Sequence, residues 1–415
     1  MRPASVPTRA ECAALDAADP LRDYPQRFVA GEAGTLYFDA NSVGAMPTAA
    51  AGNIARIEGE WQRLRRRGWS ESDWLAAPAR LGAKLAPILG AGADEVIVCD
   101  TTSINLYKAL AAAVALRPGR HTIVSEAATF PTDLYVAQGL AALRGGLTLR
   151  FLKDGEPIAD AIGDDTIAIY LSQVDYRGAR RLDIHALTRA AHARGALAIW
   201  DLSHGAGAVP ADLDAADVDL AVGCGYKYLC GGPGSPSWIF AARRLHDEIQ
   251  PALAGWMGHA DTFSFPIDYA PGAGMRRFLV GTPSVIANAA MEAACDLWAA
   301  VDPQRVFAKH AALGDLLIRL VDAGAAGPGV GVASPRDAAE RGGFVALRHE
   351  GGAALVAALG EAGIVSSFRP PDSIRFGLSA LSHRYVDIFD AATRLGEIVA
   401  SGRWRDPKYR KGKSI

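Results

Sequence analysis

The chain is poor in several features that would place it in particular classes. Its five cysteines are an odd number and form no CxxC pair, which argues against a disulfide framework or a thiolate metal site and fits a reducing compartment. Charge of one sign is not in excess: 43 Lys and Arg against 45 Asp and Glu leave −2, so neither nucleic acid nor a charged membrane surface is an expected partner. No apolar run reaches the length needed to span a bilayer. The opening "MRPASVPTRAECAALDAADPLRD" holds no apolar core of a signal peptide. A soluble cytoplasmic protein is expected. What is present is a large core: half of the 415 residues are hydrophobic and about a fifth charged, enough for one large domain and a smaller one. The basic end, "RWRDPKYRKGKSI", reads as a solvated tail.

Between about residues 74 and 245, short β-branched runs alternate with helical stretches. "EVIVCD", "HTIVSE", "LTLRFLK", "TIAIYLSQ", "LAIWDLSH", "DLAVGC" and "SWIFAAR" read as strands, several of them apolar on both faces as buried parallel strands are. "INLYKALAAAVAL", "TDLYVAQGLAALR" and "IHALTRAAHARG" read as the helices between them. The alternation predicts an α/β fold with a mostly parallel central sheet and helices on both faces. A second, α+β unit follows near residue 300, with strands at "GFVALRH" and "SIRFGLS" and three helices around them. The expected division is an N-terminal segment over 1–70, a large domain over 71–295 and a small domain over 296–415.

In such sheets, ligands bind at the carboxyl ends of the strands. Polar residues stand at three of those ends. After "EVIVC", Thr102 and Ser103 open a helix whose free amides and dipole suit a phosphate, although Asp100, Thr101 or Ser103 would serve equally as a plain cap. In "WDLSHGAGAVP", Asp201 ends an apolar strand and needs a cationic or hydrogen-bonding partner, with His204 close behind. The glycines there imitate a dinucleotide fingerprint, but Pro210 stands at the third glycine position and the match fails. The third is "CGYKYLCGGPG", residues 224–234, where Lys227 lies between two tyrosines after a buried strand. A lysine resists burial as an ammonium, yet desolvation lowers its pKa and makes it a Schiff-base nucleophile. Phosphate donors, an acid and an amine in this order match the needs of pyridoxal phosphate.

The segments "FDANSVGAMP", "DTTSINLYK", "FPTD", "WDLSHGAGAVPADLDAADVDLAVGCGYKYLCGGPG", "GWMGH", "RRFLVGTPSV" and "IRFGLS" together resemble the kynureninase family, from about residue 35 to the C-terminus. These are pyridoxal-phosphate enzymes of fold type I, class V aminotransferase-like, that cleave kynurenine to anthranilate and alanine. The resemblance implies roles residue by residue. Lys227 holds the cofactor covalently and moves protons at Cα. Asp201 pairs with the ring nitrogen, and Phe130 stacks on the ring with Asp133 anchoring its turn. Thr102, Ser103, Tyr226 and Trp256 bind the phosphate, and Ser172 and His204 surround the ring. Thr282 reaches in from the partner of a homodimer, and Arg375 clamps the substrate carboxylate, with Arg369 the next candidate. Tyr226 relays a proton to the product side. Thr282 also matches members that favour kynurenine; those favouring its 3-hydroxylated form tend to carry Asn there. Two positions depart from the pattern. Leu64 stands near the place of an aromatic residue against the aryl ring, and Ala380-Leu381-Ser382 replaces Pro-Leu-Tyr. The alternative is a related lyase acting on another β-acyl or β-substituted amino acid.

Overall fold

Strand burial in the computed structural model, which describes residues 6–411, explains its layers directly. The central sheet has seven strands: β1 Val96–Val98, β2 Thr122–Glu126, β3 Thr148–Leu152, β4 Thr166–Ser172, β5 Leu197–Asp201, β6 Leu220–Gly223 and β7 Trp238–Ala241. Their order is β1-β7-β6-β5-β4-β2-β3. β7 runs antiparallel to both neighbours, and the other pairs are parallel. In β4, β5, β6 and β7 every residue is buried. Side chains alternate across a strand, so consecutive residues feed two different cores. Ile169, Leu171, Ala198, Trp200, Ala221 and Phe240 face one core, with the helices Ala77–Leu89 and Val285–Ala299. Ala168, Tyr170, Leu197, Ile199, Leu220 and Val222 face the other, with Thr102–Leu116 and Pro131–Arg144.

The C-terminal residues build a separate antiparallel sheet in the order Ser367–Arg369, Ser373–Gly377, Phe344–Arg348, Gly331–Val332. The helices Pro303–Asp322, Gly352–Glu361 and Tyr385–Ser401 pack around it. The N-terminal segment joins this core: Cys12 and Phe38 lie among Leu313, Val345 and Phe376. Leu36–Tyr37 also pairs in parallel with Ile364–Val365. The expectation of a solvated basic tail is corrected at Trp404 and Tyr409, while Arg403 and residues 405–408 are exposed. Trp404 and Tyr409 are buried in the same core, and the Tyr409 hydroxyl donates to Glu361 at 2.6 Å. A ring of that size outweighs the surrounding lysines and arginines, since its removal costs about 3–5 kcal/mol. Residues 412–415 lie outside the described part.

His310 and His383 are buried between the two sheets' surroundings. His310 packs edge-on to Tyr228 at 5.5 Å, and His383 stacks on Phe38 at 4.4 Å. Burial, reinforced by His383 and Lys309, pushes the His310 imidazole down to about 3 from 6.5. Folded His310 therefore stays neutral where the unfolded chain takes up a proton. Its contribution is present above about pH 6.5 and is lost as pH falls. The stability of wild type relative to His310→Gln should drop by about 1.4 kcal/mol per pH unit below that point. Urea midpoints of the two proteins at pH 7.5, 6.5 and 5.5 check this; a constant difference would contradict it.

Candidate active site

Because only β7 runs against the rest, the carboxyl ends of β1, β2, β4, β5 and β6 share one edge of the sheet. The polar residues expected from the sequence gather along it. Asp201 closes β5 directly beside Ser172 of β4 in the strand register. It is 3 % exposed and accepts from Ser203 N at 2.9 Å, Ser203 Oγ at 2.6 Å and Ser172 Oγ at 3.2 Å. Three donors hold the carboxylate in one orientation. Asp133 is equally buried and accepts from Thr129 Oγ1 at 3.0 Å; burial, with Asp201 nearby, raises its pKa well above the ordinary carboxylate value.

Lys227 follows β6 by four residues. Its Nζ lies 3.1 Å from His204 Nε2, 3.4 Å from Nδ1 and 5.9 Å from the Tyr226 ring centre. His204 is 5 % exposed, and burial, then Lys227 and Arg375, push its pKa well below the usual imidazole value. A neutral imidazole adds no second positive charge beside the amine. The Tyr226 phenol is pushed up by burial, then by Cys224 and Asp201, so it remains protonated. The loop 39–47 closes over this lysine. Gly44 N donates to Tyr226 O at 2.7 Å, and a Cβ at Gly44 would lie 2.2 Å from the Lys227 carbonyl oxygen. Only glycine permits that approach.

After β1, Thr101 caps the helix Thr102–Leu116 through Ile104 N. The first-turn amides at Thr102 and Ser103 have no intrahelical acceptor and stay available for an anion. Behind them Lys108, 4 % exposed, donates to Asp100 Oδ2 at 2.5 Å and to the Phe278 carbonyl at 2.6 Å. Phe130, N-cap of Pro131–Arg144, keeps its ring 42 % exposed and meets Tyr176 edge-on at 5.3 Å.

Arg375 comes from the C-terminal sheet and is 1 % exposed. Nε and Nη2 donate to Ser367 Oγ at 3.1 and 2.9 Å, Nη1 donates to the Tyr176 carbonyl at 2.7 Å, and Nη2 reaches Ser42 Oγ at 3.5 Å. Asn41 accepts from Nε and Nη2 at 3.3 Å while donating to Asp39 Oδ1 at 3.2 Å. The guanidinium lies 5.6 Å from the Phe344 ring centre, and His204 packs on the same ring at 6.3 Å, which joins the arginine to the lysine's side of the site. Burial, then Arg369, bring its pKa down to about 10, so it remains charged. Asn41, Ser42, Ser367 and Tyr176 were not singled out from sequence. The motif "FDANSVGAMP" carried the first two, while nothing local marked the others.

Trp256 is not brought to the lysine, and neither is Thr282, which is expected to act from a partner subunit. Trp256 packs on Phe263 and Phe265 at 5.9 and 6.1 Å, and Thr282 lines a small cavity with Asp100 and Asn288. Among the described residues, no hydrogen bond or ring contact links Trp256 or Thr282 to Lys227, Asp201 or His204. Their two segments are locked together: a Cβ at Gly255 would meet the Val280 carbonyl oxygen at 2.1 Å. Leu64 ends the helix Ala50–Leu64. Trp61, Trp69 and Trp74 line an open apolar groove of about 680 Å³ with Pro233 and Ile286. Leu64 is not part of that wall.

The donor set suits pyridoxal phosphate: a buried, well-aimed carboxylate for a ring nitrogen, an amine beside a neutral imidazole, free helix amides for a phosphate, and an exposed ring face at Phe130. Arg375→Lys tests the substrate side. One ammonium cannot replace a planar fork, and losing charge-assisted bonds should lower kcat/KM by ~10–100-fold, mostly through KM. A substrate analogue without the carboxylate should lose far less. Equal losses for both would shift the clamp to Arg369.

The sequence and fold have known relatives. Residues 306–395 match the family model for the kynureninase C-terminal domain. Kynureninase of Deinococcus radiodurans is 44 % identical over 397 residues, covering 94 % of this chain and 96 % of the relative. Kynureninase of Pseudomonas fluorescens is 41 % identical over 414 residues, covering 98 % and 99 %. Among solved structures, the cystine C–S lyase C-DES in complex with its product cysteine persulfide superposes with a TM-score of 0.77 at 20 % identity, over 88 % of this chain and 98 % of that one. The cysteine desulfurase of Thermococcus onnurineus gives 0.76 at 17 % identity, over 97 % and 100 %. The chain therefore belongs to the kynureninase family and has the fold-type-I architecture of the class V pyridoxal-phosphate enzymes.

Proposed function

We propose that this enzyme hydrolyses the Cβ–Cγ bond of L-kynurenine to give anthranilate and L-alanine, a step of tryptophan breakdown. The observation that carries the reading is the meeting of Lys227, neutral His204 and buried Asp201 with the charged Arg375 at one edge of the sheet. Lys227 would hold pyridoxal phosphate covalently, Asp201 would accept from its ring nitrogen, and Phe130, its turn fixed by Asp133, would pack against it. Ser172 and His204 would help hold the ring, and Thr102, Ser103 and Tyr226 would hold the phosphate. When bound, the cofactor supplies an electron sink that acidifies Cα and lets Cβ carry negative charge.

The chain's own groups do the rest. Arg375 grips the α-carboxylate in two bonds. Lys227 accepts the Cα proton and later supplies a proton, exchanged with solvent, to the product. Water adds to the Cγ carbonyl and its oxygen leaves in the carboxylate of anthranilate. The Cβ–Cγ electron pair stays on Cβ, where Tyr226, still protonated, relays a proton to complete alanine.

Two chains share their sites in this reading. Thr282 is supplied to the partner's cofactor, and because Gly255 locks the two segments, Trp256 goes with it rather than serving its own chain. The groove lined by Trp61, Trp69 and Trp74 is then covered by the second copy, as large exposed apolar surfaces usually are. Cytoplasmic location belongs to the same reading; among the described residues, no helix is long and apolar enough to cross a membrane.

Thr282 sets the aryl preference. A hydroxyl and a methyl offer fewer partners to a ring hydroxyl than an amide does, and the extra hydroxyl must still be desolvated. L-Kynurenine should be preferred over 3-hydroxykynurenine by ~10-fold, about 1.4 kcal/mol. Steady-state kcat/KM for the two substrates checks this. A clear preference for the hydroxylated substrate would overturn the Thr282 argument, and turnover of neither would overturn the function.

A further inference from the structure

We infer that Tyr176 is a positioning residue that holds the Phe130 ring and the Arg375 guanidinium in one fixed relation across the site. The inference rests on the roles given to those two residues above. Tyr176 lies four residues after Ser172, in the loop 173–182 that leaves β4. This loop connects the two sheets. At its base Gln173 N donates to Asp201 O at 2.9 Å, and Leu182 N donates to Gln173 O at 2.8 Å. On the far side, Ser373 Oγ donates to Arg177 O at 3.1 Å, Gly342 N to Ala179 O at 2.8 Å and Arg181 N to Glu340 O at 2.8 Å. The Asp175 carboxylate closes the turn by accepting from Arg177 N at 3.2 Å and Gly178 N at 2.6 Å.

Tyr176 uses every part of itself at this junction. It is 8 % exposed. Its carbonyl accepts from Arg375 Nη1, and its ring meets Phe130 edge-on at 85°. Its hydroxyl accepts from Arg177 Nε at 2.9 Å, with that guanidinium 5.2 Å from the ring centre. Among the described residues, Tyr176 makes the only ring contact of Phe130. A carbonyl cannot be removed by changing its side chain, but it moves when the ring that anchors it is lost. Removing the Tyr176 ring therefore frees Phe130 and shifts one of the acceptors that aim Arg375. The hydroxyl is secondary, because its partner Arg177 is exposed and, among the described residues, its side chain bonds to no other residue of the site. An aromatic ring at this position is the requirement.

The test compares Tyr176→Phe, Tyr176→Leu and Tyr176→Ala in the full-length holoenzyme. Tyr176→Leu keeps apolar bulk should the alanine variant fold poorly. With far-UV circular dichroism and melting temperature near wild type, Tyr176→Leu should raise KM for L-kynurenine by ~10-fold with a smaller fall in kcat, the signature of disturbed substrate positioning. Its visible circular dichroism, which reports the cofactor's asymmetric surroundings at full occupancy, should fall or change shape, and the dissociation constant for pyridoxal phosphate should rise several-fold. Tyr176→Phe should restore all three readouts to within about twofold of wild type. A leucine variant with wild-type KM and visible dichroism overturns the inference. So does a phenylalanine variant as impaired as leucine, since that places the role in the hydroxyl. A wild-type protein that binds no pyridoxal phosphate instead overturns the functional reading beneath it.

Discussion

Asp201→Asn should cut turnover of L-kynurenine by ~1000-fold, about 4 kcal/mol of transition-state stabilisation, while pyridoxal phosphate still binds. The size follows from what the carboxylate does. Ser203 and Ser172 donate three hydrogen bonds to Asp201, so its remaining acceptor capacity is aimed rather than free to turn. A negative charge there favours the protonated ring nitrogen, and only a protonated ring draws electrons strongly. Asparagine keeps the shape but is neutral, and its NH2 would face serine donors in one of its two orientations. Cofactor titration followed by single-turnover kinetics separates binding from chemistry. Unchanged turnover at full occupancy would remove Asp201 from the electron-sink role.

Lys227→Gln should lose at least ~10⁴-fold in kcat, more than about 5 kcal/mol, the largest effect expected of any substitution in the chain. In the proposed reaction Lys227 combines the covalent hold on the cofactor with proton transfer at Cα, and among the described residues no second lysine stands in reserve. Lys108, the other lysine near the site, is bonded to Asp100 and the Phe278 carbonyl. Borohydride treatment of the wild-type holoenzyme should fix the cofactor's mass on Lys227 alone, as located by peptide mass spectrometry. An adduct on another lysine would move the chemistry elsewhere.

Much of this was legible in the sequence because the sheet is buried on both faces. Strands such as "TIAIYLSQ" and "LAIWDLSH" are apolar without interruption, so the polar residue ending each one stands out as a departure that needs a reason. Asp201 and Lys227 were singled out that way, whereas Ser172 came only by resemblance. Arg375 emerged only by resemblance, and none of its acceptors was singled out. Ser42 lies 333 residues from it and Tyr176 meets it through a backbone carbonyl, which no side-chain pattern encodes. The packing of Cys12 and Phe38 on the C-terminal core is hidden for the same reason of distance along the chain. The tail was misjudged because charge was counted ahead of its two large rings. Leu64 was placed by resemblance; the chain turns just after it at Arg65, where φ is 49°.

The most direct test is turnover of L-kynurenine by the holoenzyme in deuterium oxide, with both products identified and counted. Hydrolytic Cβ–Cγ cleavage predicts anthranilate and alanine in equal amounts, the alanine carrying one solvent-derived deuterium at Cβ and another at Cα. Ammonia and an α-keto acid in place of alanine, or alanine without deuterium at Cβ, would contradict the account.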